Sequence, residues 1–173
     1  MPKEALFIID MLNDFVKKDA PLEVPVARVI IPNIQKRIRE ARERGEMIFY
    51  ICDAHRPDDK EFKKWPIHAL KGTKGAEIIE ELKPGVGAPV ILKNRYSGFL
   101  DTSLAKILRA YGIRKIYITG ILTNICVFFT AAEASMRNYE VVVCADSVAA
   151  LSEKDRETAL DQLERVLKIE VIR

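Results

Sequence analysis

Short apolar runs that recur between amphipathic stretches constrain this chain more than any other feature. Runs rich in Ile, Val and Leu stand at 5–9 (ALFII), 47–52 (MIFYIC), 89–92 (PVIL), 115–119 (KIYIT), 140–144 (EVVVC) and 167–172 (LKIEVI). Amphipathic stretches fall between several of them, at 28–44, 102–111, 123–138 and 152–165. A strand that is apolar on both sides must be covered on both faces, and helices that connect parallel strands supply that cover. The pattern therefore predicts an α/β fold: a three-layer α/β/α sandwich with a mainly parallel, Rossmann-like sheet of about six strands. Gly45 and Gly112 stand at helix-to-strand joints, where a left-handed C-terminal cap belongs.

Length and charge narrow the classes of protein. The chain has 173 residues, 49% of them hydrophobic, which suits one domain spanning 1–173 with a full core. Its net charge of +3 comes from 28 basic and 25 acidic residues, and the charges alternate in stretches such as KRIREARERG (36–45). No basic block points to nucleic acid. No segment approaches the roughly twenty apolar residues of a membrane span, so the expectation is a soluble, cytoplasmic protein. Cys52, Cys126 and Cys144 are a sparse, odd set, two of them inside apparent strands, which argues for reduced thiols rather than a disulfide framework.

Polar residues follow the strands in a pattern. The first run ends in Asp10, the second in Asp53, the third in Lys93, the fourth in Gly120 leading to Cys126, and the fifth runs through Ala145 into Asp146. Ligands of open parallel sheets bind at the carboxyl ends of the strands, so these residues are expected to converge on one crevice. Strand ends are also polar for reasons of solvation or helix capping, and Asp146 suits that reading especially well. In GILTNICVFFT (120–130), a helix beginning near Thr123 would place Cys126 in its first turn, where the helix dipole eases ionisation of a thiol. Cys126 is thus a candidate nucleophile, the alternative being a small packing residue with Thr123 as an N-cap. A carboxylate can take the thiol proton and a nearby ammonium can steady the negative charge, which gives Asp10 and Lys93 chemical jobs beside it.

The long stretch 53–74 carries both histidines of the chain. Asp53 and His55 form a D-x-H element, and His68 follows in WPIH. A D-x-H triplet also arises by chance on surfaces, but one carboxylate and two imidazoles in a single loop suit a divalent metal with open positions for water or substrate. Zn, Mn and Fe all accept such a set, with Zn the first expectation.

The segments ALFIIDMLNDF, CDAHRP, WPIHALKGTKGAEI, KNRYSGFLDTSLAKIL and ITGILTNICVFFTAAEA resemble, in order, the isochorismatase-like cysteine hydrolases. The resemblance implies a catalytic triad of Asp10, Lys93 and Cys126. It also implies a cis peptide between Ile121 and Leu122, and an oxyanion hole from the backbone N–H groups of Leu122 and Cys126. The D-x-H and WPxH elements are similar to the nicotinamidase and pyrazinamidase branch, which implies Asp53, His55 and His68 as metal ligands. Phe15, Trp65, Tyr96 and Ile121 would line the substrate pocket. The implied activity is hydrolysis of a small carboxamide, nicotinamide first, through a thioester. Other small amides, carbamoyl or ureido compounds, a vinyl ether, or a non-catalytic interaction module are the alternatives. Leu12, where the family commonly has Gln, and Ala69, where nicotinamidases have Cys, bear on the substrate. The expected partners are a small-molecule amide and further copies of the chain, as a dimer or tetramer, with neither nucleic acid nor membrane.

Overall fold

The computed structural model describes residues 3–173. Six strands form one sheet: β1 (Lys3–Ile9), β2 (Met47–Asp53), β3 (Val90–Lys93), β4 (Ile113–Ile121), β5 (Glu140–Ala149) and β6 (Glu170–Ile172). Their order is β3-β2-β1-β4-β5-β6, and every neighbouring pair is parallel. The helices are α1 (Asn13–Val16), α2 (Ala27–Glu43), α3 (Leu104–Tyr111), α4 (Phe128–Met136) and α5 (Glu153–Arg165). The three-layer parallel architecture read from the sequence is the one observed. No helix among the described residues is long and apolar enough to cross a membrane.

Alternation along β1 divides the core in two. Ala5, Phe7 and Ile9 join a cluster with Leu104 and Leu108 of α3, Ala131 of α4 and Leu160 of α5. Leu6 and Ile8 join the other cluster with α2. That helix buries Ala27, Ile30, Ile34, Ile38 and Ala41, spaced three and four apart as one helical face requires. Its N-terminus has no side-chain cap. Packing of this stripe, at roughly 1.5–3 kcal/mol for each large aliphatic side chain, holds it on the sheet. Gly45 (φ 68°) and Gly112 (φ 70°) end α2 and α3 in the left-handed conformation expected of them.

Four elements depart most from the sequence reading. β4 and β5 run on to Ile121 and Ala149, past a register shift between Ile118 and Gly120. The last strand is confined to Glu170–Ile172, because the chain leaving α5 first turns back through an Ile169 N–H to Leu163 carbonyl bond of 3.1 Å. Most consequentially, 123–138 is not one regular helix. Thr123–Val127 is a π turn in which the Val127 N–H reaches the Leu122 carbonyl at 3.1 Å, and α4 begins only at Phe128. Thr123 makes no capping bond, so the N-cap reading fails. Cys126 sits inside the widened turn, a type of irregularity frequent at functional sites.

Candidate active site

The chain leaves β1 for β2 on one side of the sheet and later returns to β4 on the other. A crevice opens outside the carboxyl ends of two neighbouring strands whose connections diverge in this way. Gly120 permits the close approach there. With φ at 108°, a β-carbon on it would meet the Ile9 carbonyl oxygen at 2.1 Å, so glycine alone fits. The Ile121–Leu122 peptide that follows is cis. The Leu122 N–H has no hydrogen-bond acceptor among the described residues.

Asp10 leaves β1 with φ at 52°, a left-handed conformation that costs a non-glycine residue about 1–2 kcal/mol. Two hydrogen bonds hold it: its N–H donates to the Ile51 carbonyl at 2.9 Å, and its Oδ1 accepts the Asp53 N–H at 2.8 Å. The carboxylate thereby turns into the crevice. Lys93 ends β3 opposite Asp53 in the ladder. Its Nζ lies 2.8 Å from Asp10 Oδ2, 2.5 Å from Asp53 Oδ1 and 3.3 Å from Cys126 Sγ. Asp10, Lys93 and Cys126, expected together from their strand ends, are brought together. Asp146 is not. Its carboxylate faces the α2 layer, 3.2 Å from Arg37 Nη2, and Asn33 donates to its carbonyl at 2.6 Å.

The charges in this cluster decide its protonation. One ammonium and two carboxylates leave a net charge of −1 in a buried site, so a thiolate would raise it to −2. Burial accordingly pushes the Cys126 thiol well above its ordinary value; Lys93 pulls it down, but Asp10 and Asp53 push it up. The expectation of an easily ionised thiol is therefore overturned, because desolvation and two carboxylates outweigh the turn and the ammonium. Burial is also the largest influence on Asp10, and with Asp53 it raises this carboxyl to about 6 against the pull of Lys93. Burial acts to discharge Lys93, but the two carboxylates overcome it and hold the ammonium protonated. Moving the proton from Cys126 to Asp10 leaves the net charge unchanged. That route would give a thiolate without adding to the net negative charge of the cluster.

The histidine loop lies beside this cluster. One ligand atom from each of Asp53, His55 and His68 lies within 4.8 Å of the others, and all three residues are buried. His68 Nδ1 is 2.6 Å from the Pro66 carbonyl, which can only accept, so Nδ1 carries a hydrogen and Nε2 is the nitrogen left for a metal. His55 Nδ1 is 3.1 Å from Asp59 Oδ2, and its buried Nε2 has no hydrogen-bond partner. An orphaned imidazole nitrogen, a second imidazole and a carboxylate fit a divalent ion. Burial opposes charge on His55, but the nearby carboxylates of Asp53 and then Asp59 prevail and lift it to about 8. Asp53 is held below the usual carboxylate range, since Lys93 and His55 outweigh its burial.

Sequence reasoning missed several parts of this loop. Asp59 caps the 3-10 turn Lys60–Lys63 by accepting the Glu61 N–H at 2.9 Å, and Arg95 Nη1 lies 3.2 Å from the same oxygen. Burial works against its ionisation, but the Glu61 N–H, His55 and Arg95 hold its carboxyl at about 2. Phe62 packs on both imidazoles, with centroid distances of 5.4 and 5.5 Å, and Phe15 packs on His68 at 5.5 Å. The only signal for Asp59 is an acidic residue four after His55, which means nothing on an irregular chain. Glu61 also reaches this neighbourhood, and its carboxyl is raised by burial.

A cavity of about 280 Å³ opens beside Cys126, near the small end of the range for ligand sites. Phe15, Trp65, Tyr96 and Ile121 all line it, as do Leu22 and Ile125. Trp65 Nε1 donates to the Tyr96 hydroxyl at 3.2 Å, which links the histidine loop to the segment after β3. Asp10, Asp53 and His68 line the cavity, and His55 is fully buried.

This arrangement defines a class: a parallel α/β protein with a buried thiol, carboxylate and ammonium at the switch point of its sheet. A family profile for the isochorismatase domain matches residues 4–171, and the chain belongs to that family. It is 31% identical to a probable inactive nicotinamidase of Arabidopsis thaliana, over 84% of this chain and 80% of that protein. The structure of N-carbamoylsarcosine amidase from Thermoplasma acidophilum is similar at 38% identity with a TM-score of 0.90, covering 99% of this chain and 96% of that one. Pyrazinamidase of Pyrococcus horikoshii in complex with zinc is similar at 34% identity with a TM-score of 0.92, covering 99% of both chains. The chain is thus an isochorismatase-like protein with amidase structural neighbours.

Proposed function

We propose that the whole chain acts as one cysteine-dependent amidohydrolase domain for a small neutral carboxamide, with nicotinamide as substrate and nicotinate and ammonia as products. The observation that carries this reading is the 3.3 Å contact of Cys126 Sγ with Lys93 Nζ, itself 2.8 Å from Asp10, beside a small apolar cavity.

The chemistry follows from the protonation states. Asp10 accepts the Cys126 proton as sulfur attacks the carboxamide carbon, and the carbonyl electron pair moves onto oxygen. The N–H groups of Leu122 and Cys126 receive that oxyanion. Its collapse breaks the C–N bond, and Asp10 returns the proton so that ammonia leaves and a thioester remains. Water, deprotonated by Asp10, then adds to the thioester. The C–S bond breaks, the acid is released, and the proton returns to sulfur. Lys93 holds Asp10 in place and offsets its charge throughout.

Asp53, His55 and His68 would hold a divalent ion, Zn first and Mn or Fe otherwise, which when bound supplies a Lewis acid beside the cavity. Phe15, Trp65, Tyr96 and Ile121 would orient a flat ring so that the amide meets sulfur.

The wall of the cavity supports a neutral substrate. Among the described residues it carries the carboxylates of Asp10, Glu23, Asp53 and Glu61 and no lysine or arginine. An N-carbamoyl amino acid, the second reading favoured by the Thermoplasma neighbour, brings a carboxylate for which the wall offers no lysine or arginine, so its one cationic partner there would be the divalent ion. A neutral amide needs no such partner. Ammonia release from nicotinamide and from N-carbamoylsarcosine tests the choice. Nicotinamide is expected to have the higher kcat/KM, and the reverse order would overturn the substrate assignment while leaving a cysteine amidase.

A further inference from the structure

The two imidazoles of the proposed metal set are held by different chemistry. His68 Nδ1 meets the neutral backbone carbonyl of Pro66, whereas His55 Nδ1 meets the carboxylate of Asp59. Neither acceptor can donate, so both rings are fixed with hydrogen on Nδ1. A carboxylate on the far nitrogen does more than fix a tautomer. It makes the ring a stronger donor at Nε2, the atom that is buried without a partner and lies 3.6 Å from Asp53 Oδ2.

Asp59 is itself held firmly. Its side chain is 3% exposed. Oδ2 faces His55, Oδ1 accepts the Glu61 N–H, and Arg95 Nη1 lies 3.2 and 3.3 Å from the two oxygens. Arg95 follows two residues after Lys93, and it also donates to the Asn94 carbonyl. A bridge therefore runs from the segment that carries the ammonium of the triad, through Arg95 and Asp59, to the imidazole of His55. Nothing in the steps of amide hydrolysis uses either residue.

We infer that Asp59, held by Arg95, is a positioning residue that fixes the tautomer and orientation of His55 and thereby sets the affinity of the Asp53, His55 and His68 site for a divalent cation. The inference about affinity rests on the metal reading above; the inference about the tautomer does not.

The experiment uses the full chain with Asp59→Asn, Asp59→Ala and Arg95→Gln. Asparagine keeps an acceptor for the Glu61 N–H, so Asp59→Asn separates loss of charge from loss of the turn, and thermal melts check that it folds. Two quantities are measured: Zn²⁺ affinity by competition with a chelator, and the His55 tautomer of metal-free protein by ¹⁵N NMR at a pH where the ring is neutral. Zn²⁺ affinity is expected to fall on the order of 10–100-fold in Asp59→Asn. It should fall further in Asp59→Ala and less in Arg95→Gln. The Nδ1–H form of His55 should dominate in the wild type and lose that dominance in both Asp59 variants. Unchanged tautomer and unchanged affinity in a folded Asp59→Asn would overturn the inference. Wild-type protein that binds no Zn²⁺ would overturn the affinity claim and the metal reading together, while the tautomer measurement would still decide whether Asp59 positions His55.

Discussion

The two halves of the candidate site are built by different means. Asp10, Lys93 and the turn holding Cys126 follow or end β1, β3 and β4, which pair with one another directly or through β2, so the ladder of backbone hydrogen bonds sets their spacing. His55 and His68 ride on irregular chain, and their positions depend on side-chain bonds to Asp59 and backbone bonds around Ala69. A site built on strands should therefore be broken by changes to backbone fit. A site built on a loop should be loosened by removing single side chains that are far from the chemistry.

The largest effect belongs to the proposed nucleophile. Cys126→Ala should lower kcat by a factor on the order of 10⁴ or more while leaving the fold and Zn²⁺ binding intact, as steady-state kinetics and a chelator titration would reveal. Residual turnover within tenfold of the wild type would remove Cys126 from the chemistry. Gly120→Ala comes next and acts on the strand side alone. The 2.1 Å approach to Ile9 has no flexible atom to yield, so a loss of about 2–4 kcal/mol in denaturant unfolding is expected, with activity lost.

Asp10 should show stability and function in opposition. Its carboxyl titrates at about 6 folded against 3.8 ordinarily, so the folded state favours the proton between those values. The stabilisation linked to that proton is present below the ordinary value and is lost as pH rises through about 6. Asp10→Asn keeps an oxygen to accept the Asp53 N–H and removes the penalised charge. It should be more stable than the wild type above pH 6, by about 1–3 kcal/mol, and inactive. The proposed mechanism uses the ionised carboxylate as a base, so kcat/KM of the wild type should rise with pH through about 6. A variant no more stable at neutral pH would show that Asp10 carries no such penalty.

The loop side has its own test in Asp14→Ala. Asp14 Oδ2 accepts the Ala69 N–H at 2.8 Å, next to His68, and its carboxylate fills the place where a β-carbon on Gly75 would stand. Its removal should cost about 1–2 kcal/mol and weaken Zn²⁺ binding, with iodoacetamide labelling of Cys126 unaltered. The smallest effect expected is a difference among thiols. Burial raises all three thiols, so access decides their order. Cys126, which alone of the three lines the cavity, should be alkylated first. Equal labelling of all three in the folded protein would contradict the cavity as the route to Cys126.

The same contrast explains what the sequence disclosed. Strand ends are legible because apolar runs end visibly, and Asp10, Asp53 and Lys93 each stand at such an end. Periodicity also predicts α2 and α5 within a residue or so. The π turn at Thr123–Val127 was not legible, because apolar residues there suit a regular helix equally well. The protonation of Cys126 was not legible for a related reason: a sequence displays a helix dipole but not burial or the two carboxylates folded against the thiol. Asp146 follows a strand like the others, yet the longer β5 turns it towards Arg37. Asp59 and Glu61 gave no signal, since spacing carries no geometric meaning on an irregular loop.

Partition of the acyl intermediate tests covalent cysteine catalysis most directly. Metal-loaded enzyme is given nicotinamide in the presence of hydroxylamine, and nicotinate, the hydroxamate and ammonia are quantified together with the same reaction of Cys126→Ala. A thioester on Cys126 gives hydroxamate at the expense of nicotinate as hydroxylamine rises, with one ammonia per acyl product and no product from the variant. Nicotinate formed without hydroxamate at any hydroxylamine concentration, or comparable turnover by Cys126→Ala, would contradict the thioester mechanism.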